Sequence, residues 1–455
     1  MELDQKKVLV VGLALTGVAL CRFLAARGAR VTVTDVAPPQ ALAEARREIA
    51  GLGVTEALGK ALKKRPPWRG SDLIILSPGV PPDLDWLKEA RQTGIPVWGE
   101  LELAGHFIEK PLIAVSGTNG KTTTITLVGE FLQASGRKPL VGGNIGTPAI
   151  SLLARQRQAD CLVLEVSSFQ LDTAPSFHPQ AAALLNITPD HLDRYPSLAA
   201  YAASKANLFR NQGAGDLKVL NADDPALAAL STGLGRVYHF SSSRPLTRGA
   251  WLANGSIHLR LAGAAAERFP LGGIRLSGRH NLENIMASLL LALDAGAGPE
   301  ACRRVLADFR GLPHRLEFVA EVDRVEFYDD SKGTNVGAVA VSLGHFSKPV
   351  ILIAGGRDKD SDFGLLSPSI QERVKALVLL GETRERLAQT WKDLAPICLV
   401  NSMAEAVRRA YDLARPGEVV LLSPACASFD MFKDYAHRGE TFQKLVQEMR
   451  HAKGS

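Results

Sequence analysis

The chain has 455 residues, 46% hydrophobic and 22% charged, with 53 Lys and Arg against 47 Asp and Glu for a formal net charge of +6. That is too long for one hydrophobic core, so two to four domains are expected. The composition is that of a globular chain, and a modest charge without a dense basic run argues against nucleic acid as the partner. Five cysteines, Cys21, Cys161, Cys302, Cys398 and Cys426, are scattered with no C-x-x-C pair, which indicates neither a disulfide framework nor a zinc ribbon and fits a reducing compartment.

The chain opens with Lys6-Lys7 and the apolar run VLVVGLALTGVALC, which looks like a signal peptide ending at Cys21. Leu20 is too large for the position before such a cleavage, and Arg22 continues a helical pattern, so a buried strand and its helix are expected instead. No other stretch of 18 apolar residues follows, and no transmembrane helix is expected. Short apolar runs then alternate with helical patterns: KVLVVG (7–12), RVTVTD (30–35) and DLIILS (72–77); PLIAVSG (111–117), CLVLEVS (161–167) and AAALLNIT (181–188); PVILIAGG (349–356), KALVLLG (375–381) and EVVLLSP (418–424). Alternation of this kind predicts parallel α/β architecture. Three series predict three consecutive α/β domains: a Rossmann-like domain over 1–98, a central P-loop domain over 99–311 and a Rossmann-like domain over 312–455. The stretch from about Thr232 to Gly278 reads as a small β-rich part of the central domain.

Two turns have the composition of phosphate sites. The first, GLALTG (12–17), has Ala14 where a dinucleotide fingerprint needs its middle glycine, and Asp35 closes the next strand where a ribose-binding acid is usual. Both a ligand-free tight turn and a nucleotide site other than NAD remain open. The second, SGTNGKTTT (116–124), follows a strand and opens an amphipathic helix. Its Gly117 and Gly120 let successive N–H groups curl around phosphate oxygens, and the helix N-terminus adds partial positive charge. The spacing assigns Gly117, Thr118, Asn119, Gly120, Lys121, Thr122 and Thr123 to ATP. Lys121 would meet the β- and γ-phosphates and Thr122 would face Mg²⁺. The first glycine of the common P-loop is missing, since Val115 stands in its place.

A P-loop needs a carboxylate at a neighbouring strand end, and Glu165 is in that position. Asp190, His191 and Asp193 follow a third strand in NITPDHLDRY (186–195), on the side of a parallel sheet where ligands bind. Lys205, near the start of the next helix by pattern, is not singled out by spacing.

At this point the chain resembles the Mur ligases over nearly its whole length. The strings that carry the resemblance are GTNGKTT, GGNIGTP (142–148), LEVSSFQL (164–171), NITPDHLDRY, SGRHNLEN (277–284), GLPHRLE (311–317), DDSKGTNVGA (329–338) and LLSPACASFDMFKDYAHRG (421–439). The resemblance is strongest to the branch that joins D-glutamate to UDP-N-acetylmuramoyl-L-alanine through an acyl phosphate, a cytoplasmic step of bacterial peptidoglycan precursor synthesis. It implies two Mg²⁺ ions, held by Thr122, Glu165, His191 and Lys205, the last as a carbamate. It places Asn281, Asn284, Arg315 and Asp330 on ATP. It places Leu15, Thr16, Gly17, Asp35, Ser77, Pro78, Gly79, Asn144, Ser167 and Gln170 on the UDP substrate. It also places Lys332, Thr334, Lys359, Ser428, Phe429 and Tyr435 on D-glutamate. A monomer is expected, with domain closure over the reactants. A sibling amide ligase of the family, folylpolyglutamate synthetase and a nucleotide-binding regulator without synthetic activity are the competing readings. The GLALTG domain counts against the folate enzyme, and the late LLSPACASFD string against the regulator.

Overall fold

The computed structural model describes residues 1–59, 68–191, 194–231, 235–263, 265–276, 278–358 and 361–453. It divides into two compact units: Met1–Asn186 with Ala202–Arg275 and Asn281–Asp308, and Ile187–Tyr201 with Leu276–His280 and Phe309–Ser455.

The first unit carries two sheets among its described residues. β1 (Lys7–Val11), β2 (Arg30–Asp35), β3 (Thr55–Leu58), β4 (Leu73–Leu76) and β5 (Val97–Gly99) form a parallel sheet in the order β3-β2-β1-β4-β5. The signal-like N-terminal run is accordingly a buried strand followed by the helix Leu15–Ala25, in which Cys21 has no exposed surface. The strand order reverses between β1 and β4, where a doubly wound sheet opens a crevice at its carboxyl ends.

The second sheet contains β6 (Leu112–Ser116), β7 (Pro139–Gly143), β8 (Cys161–Glu165), β9 (Ala181–Leu184), β10 (Leu217–Asn221), β11 (Arg236–Ser241), β12 (Gly249–Ala253), β13 (Ser256–Arg260) and β14 (Glu267–Pro270). Its order is β14-β13-β12-β11-β10-β9-β6-β8-β7. β6, β8 and β9 are therefore neighbours, and their carboxyl ends bring three loops together. The β-rich stretch is not a separate sheet. β11 and β12 continue the parallel ladder, and β13 and β14 add an antiparallel edge to it.

The second unit holds β15 (Glu317–Val322), β16 (Val325–Asp329), β17 (Val350–Ala354), β18 (Val374–Leu379), β19 (Ile397–Leu399) and β20 (Val419–Leu422), ordered β15-β16-β20-β17-β18-β19. Val350, Leu352 and Ala354 face one hydrophobic core while Ile351 and Ile353 face another. A strand covered on both faces needs the unbroken apolar run VILIA, not an alternating one. The DDSKGTNVGA and SPACASFD strings follow the neighbouring strands β16 and β20, so the sheet brings them side by side.

Candidate active site

The first turn lies in the crevice beside β1 and β4. Gly12 has φ +95°, and a Cβ on Gly17 would stand 2.0 Å from the Gly12 carbonyl oxygen, so both positions require glycine. Ser77 Oγ donates to that same carbonyl at 3.0 Å, which ties the end of β4 to the turn. The Asp35 carboxylate accepts the Leu13 and Ala37 N–H groups, each at 2.8 Å, and so holds the turn's shape. No side chain caps the helix that starts at Leu15. The first-turn N–H groups at Leu15, Thr16 and Gly17 thus depend on neither backbone nor cap, and Leu15 is exposed. Pro78 and Gly79 follow β4 on the same rim.

The second turn is tied to the two adjacent loops. Gly120 is left-handed at φ +86° and precedes the helix Lys121–Ala134, again with no side-chain cap. The Asn119 N–H donates to Asn186 Oδ1 at 2.8 Å, and the Thr118 N–H to the Asn186 carbonyl at 3.0 Å. Thr122 Oγ1 donates to Glu165 Oε2 at 2.7 Å, and Asn144 Nδ2 to Glu165 Oε1 at 3.1 Å. Glu165 has no exposed surface. Asn144 is held in turn by its backbone N–H on the Glu165 carbonyl at 2.9 Å, where a Cβ on Gly143 would intrude at 2.3 Å. Lys121 Nζ donates to the carbonyls of Gly117 and Thr118 at 2.9 and 2.8 Å. Lys205 Nζ also reaches the Gly117 carbonyl, at 2.9 Å, from a side chain that is 2% exposed. Lys205 lies in the last turn of the helix Leu198–Ala206, not near its start as the pattern suggested. Asn284 packs against the loop so closely that a Cβ on Gly120 would stand 2.1 Å from its Oδ1. Asn281 lies in the first turn of the same helix, Arg279–Asp294, and Thr123 is buried in the first turn after the loop.

The sequence reading did not foresee Asn186, which pairs with the loop from 67 residues away. Nor did it foresee the buried Glu100, whose Oε1 accepts the Ile150 N–H at 2.7 Å. Gln170 is buried, with its amide oxygen 3.0 Å from the Ser167 N–H and its backbone N–H on Ser167 Oγ at 3.3 Å. Together they form a capping box.

The second unit contains the remaining candidates. His191 adopts φ +56°, and its N–H donates to Asp190 Oδ1 at 2.9 Å. Asp190 Oδ2 accepts from Asn335 Nδ2 at 3.2 Å, while Asn335 Oδ1 caps the helix Val336–Leu343 through the Ala338 N–H at 2.8 Å. Asp330 is enclosed and accepts Ser423 Oγ at 2.6 Å, Ser342 Oγ at 2.7 Å and the Leu316 N–H at 3.3 Å. Burial pushes its carboxyl up to about 6, against the opposing pull of those bonds and the Arg315 charge. Arg438, 2% exposed, clamps the DDSKGTNVGA and SPACASFD strings together. Its Nη2 donates to the Ser331 carbonyl at 2.8 Å and its Nη1 to the Cys426 carbonyl at 3.2 Å. The Ala425 N–H adds a bond to the Gly333 carbonyl at 2.9 Å. Lys332 Nζ lies 3.7 Å from the centroid of the Tyr435 ring. Thr334 follows in the same turn, its N–H on the Lys332 carbonyl. Ser428 is buried, and Phe429 beside it is 63% exposed. Lys359 and Asp193 lie outside the described residues.

Among the described residues His314, Glu317 and Asp329 gather three possible metal-ligand atoms within 4.8 Å. They satisfy one another instead. His314 Nδ1 lies 2.7 Å from Asp329 Oδ2, the His314 N–H donates to Glu317, and Gln443 Nε2 bridges both carboxylates at 2.9 and 2.8 Å. The Thr122 hydroxyl and Glu165 carboxylate, 2.7 Å apart, are the hard-oxygen donors that a small divalent cation takes.

Residues 6–99 match the Mur ligase MurD-like N-terminal domain, 115–292 the Mur ligase middle domain, and 314–426 the Mur ligase glutamate ligase domain. The chain is 47% identical over 450 residues to the UDP-N-acetylmuramoylalanine–D-glutamate ligase of Geotalea uraniireducens, covering 99% of each chain. Its fold is similar to a pseudomurein peptide ligase type C from Methanothermus fervidus, with a TM-score of 0.61 at 17% identity, over 98% of this chain and 100% of that one. It is also similar to the UDP-N-acetylmuramate–alanine ligase MurC from Thermotoga maritima, with a TM-score of 0.60 at 19% identity, over 97% and 99%.

Proposed function

The chain belongs to the Mur ligase family, and from that premise we propose that it is the ATP-dependent ligase adding D-glutamate to UDP-N-acetylmuramoyl-L-alanine in peptidoglycan precursor synthesis. The observation that carries the choice of acceptor is the 47% identity, over 99% of both chains, to an enzyme named for that reaction. The regulator reading leaves the Glu165–Thr122 pair without a purpose.

The UDP moiety sits at the first turn, on the N–H groups of Leu15, Thr16 and Gly17, with Asp35 shaping the turn and Ser77, Pro78 and Gly79 flanking it. A middle glycine is not needed, because the ligand is not a dinucleotide. Asn144, Ser167 and Gln170 meet the same UDP-sugar substrate. ATP lies with its phosphates in the loop Gly117–Thr123, its adenine near Asn281 and Asn284, and its ribose near Arg315 and Asp330. The substrate carboxylate takes the γ-phosphoryl group, and the amine of D-glutamate attacks the resulting acyl phosphate. A tetrahedral intermediate then collapses to the amide and releases phosphate. Lys121 neutralises phosphate charge and the loop N–H groups orient it, so that donor and acceptor line up. Thr122 and Glu165 would hold one Mg²⁺, and His191 with a carbamylated Lys205 a second. When bound, the ions supply positive charge that offsets the negative charge of the phosphates. Lys332, Thr334, Ser428, Phe429 and Tyr435 receive D-glutamate, with Lys359 as a second cation for its two carboxylates.

Domain limits near residues 98 and 311 go with this reading. No described helix is long and apolar enough to cross a membrane. A monomeric, cytoplasmic enzyme is the reading that goes with UDP-linked precursors.

The test is phosphate release from ATP by purified protein with Mg²⁺ and UDP-N-acetylmuramoyl-L-alanine, adding D-glutamate, L-glutamate, L-alanine or diaminopimelate in turn. Release with D-glutamate alone is expected. Release with a different amino acid would move the enzyme to a sibling activity, and silence with all four would overturn the ligase reading.

A further inference from the structure

The helix Tyr435–Lys453 packs on the polar knot of His314, Glu317 and Asp329 at a distance that only glycine allows. A Cβ on Gly439 would stand 2.3 Å from His314 Nδ1 and 2.7 Å from Asp329 Oδ2. One turn further along this helix, Gln443 Nε2 donates to Glu317 Oε2 at 2.9 Å and to Asp329 Oδ2 at 2.8 Å. Both partners are carboxylate oxygens that already take other donors, so the amide turns its NH₂ to them, one hydrogen each. The two carboxylates also hold backbone. Glu317 Oε2 accepts the His314 N–H at 2.8 Å, and Asp329 Oδ1 accepts the Ser331 N–H at 2.8 Å. The Lys332 N–H, on the His314 carbonyl at 3.0 Å, closes the ring.

We infer that Gln443 is a positioning residue for the D-glutamate pocket, holding the Lys332 turn against the helix that starts at Tyr435. The inference rests on the reading of Lys332 and Tyr435 as D-glutamate contacts. Asp329 has no exposed surface, so it works through the groups it holds. Those groups lead directly to the pocket. Ser331 Oγ donates to the Tyr435 carbonyl at 2.8 Å, and Lys332 Nζ lies 3.7 Å from the centroid of the Tyr435 ring. The His314 ring stands edge-on to Tyr435, with centroids 6.3 Å apart. The Asp329 bond raises the His314 imidazole above its ordinary value, against the opposing effect of burial, which keeps Nδ1 a donor. Gln443 thus ties the two carboxylates that set the turn to the helix that carries Tyr435. Gln447, one turn on, bonds instead to the Val319 carbonyl of β15 at 3.0 Å and supplies a matched control.

Gln443→Met keeps the length of the side chain and removes the bridge. Gln443→Glu keeps the shape and puts a third acceptor where the two carboxylates need a donor. Gln447→Met makes the same change one turn along the helix, where the lost bond leads to a strand and not to the pocket.

Two readouts decide. Amide hydrogen exchange on the free protein is expected to speed up at Ser331 and Lys332 in both Gln443 variants and to keep its wild-type rate there in Gln447→Met. In steady-state assays, the KM for D-glutamate is expected to rise on the order of tenfold in Gln443→Met and at least as much in Gln443→Glu. In the same variants the KM for UDP-N-acetylmuramoyl-L-alanine should change less than about twofold and kcat less than about threefold. Gln447→Met should leave all three within about twofold of wild type. Unchanged exchange at Lys332, an unmoved KM for D-glutamate, equal rises in both KM values, or a Gln447→Met as impaired as Gln443→Met would each overturn the assignment. A wild-type enzyme that does not turn over D-glutamate would overturn the functional reading instead, while the exchange data would still decide whether Gln443 holds the turn.

Discussion

At Lys205 a buried side chain leaves the last turn of its helix to reach the Gly117 carbonyl, where Lys121 also donates. If Lys205 is a metal ligand in carbamate form, Lys205→Ala should lose at least about a hundredfold in kcat. Short-chain carboxylic acids added to the assay should restore part of that loss, and a fully active plain variant would remove Lys205 from the site. Asp330 makes a separate prediction about pH. The folded protein holds its proton up to about pH 6, while the unfolded chain releases it near pH 4. The folded state therefore binds more protons between those values. Its stability is full below about pH 4 and declines as pH rises to 6, by about 3 kcal/mol from this group. Asp330→Asn should flatten that decline in urea midpoints measured across the window. The meeting of Thr122 with Glu165 was legible in the sequence, because a glycine-rich strand-to-helix turn fixes residue types at short spacing. Asn186 and Glu100 were not, because a polar pair that meets across 67 or 50 residues leaves no local pattern.

Side chains complete some helix starts and not others. Ser402 accepts the Glu405 N–H at 3.2 Å to cap the helix Met403–Leu413, and Asn335 does the same for Val336–Leu343. The helices beginning at Leu15 and Lys121 have no side-chain cap, and both follow a phosphate-type turn. Ser402→Ala should therefore cost about 1 kcal/mol of stability and leave kcat/KM unchanged. Asn335→Ala should cost a similar amount and also lower kcat/KM at least about tenfold, because Asp190 beside His191 loses a partner. Equal kinetic behaviour in the two variants would separate Asn335 from the chemistry. The strands themselves were readable, since runs such as VILIA can only be buried. The join of β11–β14 to the central sheet was not, because pairing partners follow from packing and not from period.

For the molecule as a whole, three series of strands implied the three-domain α/β plan, and three sheets form it. The sequence did not show that Ile187–Tyr201 and Leu276–His280 leave the first unit and count with the second. Both excursions carry functional strings, and their membership is decided by contacts with residues distant in the chain. Ligand linkage tests this scale. A non-hydrolysable ATP analogue with Mg²⁺ at a hundred times its Kd should raise unfolding free energy by about 2.7 kcal/mol. Calorimetry should show the rise without D-glutamate present and lose it in Lys121→Ala. A rise of equal size in that variant would mean that the analogue binds away from the loop.

Gly120 is constrained twice, by a left-handed backbone and by Asn284 Oδ1 standing 2.1 Å from where a Cβ would be. For descent, this makes the loop hard to edit one codon at a time. Alanine at 120 must push the Asn284 amide aside, and even then it inherits a strained turn. Two stretches written far apart in the gene are thereby bound to drift together, and a lineage that has lost glycine at 120 should also have lost asparagine at 284.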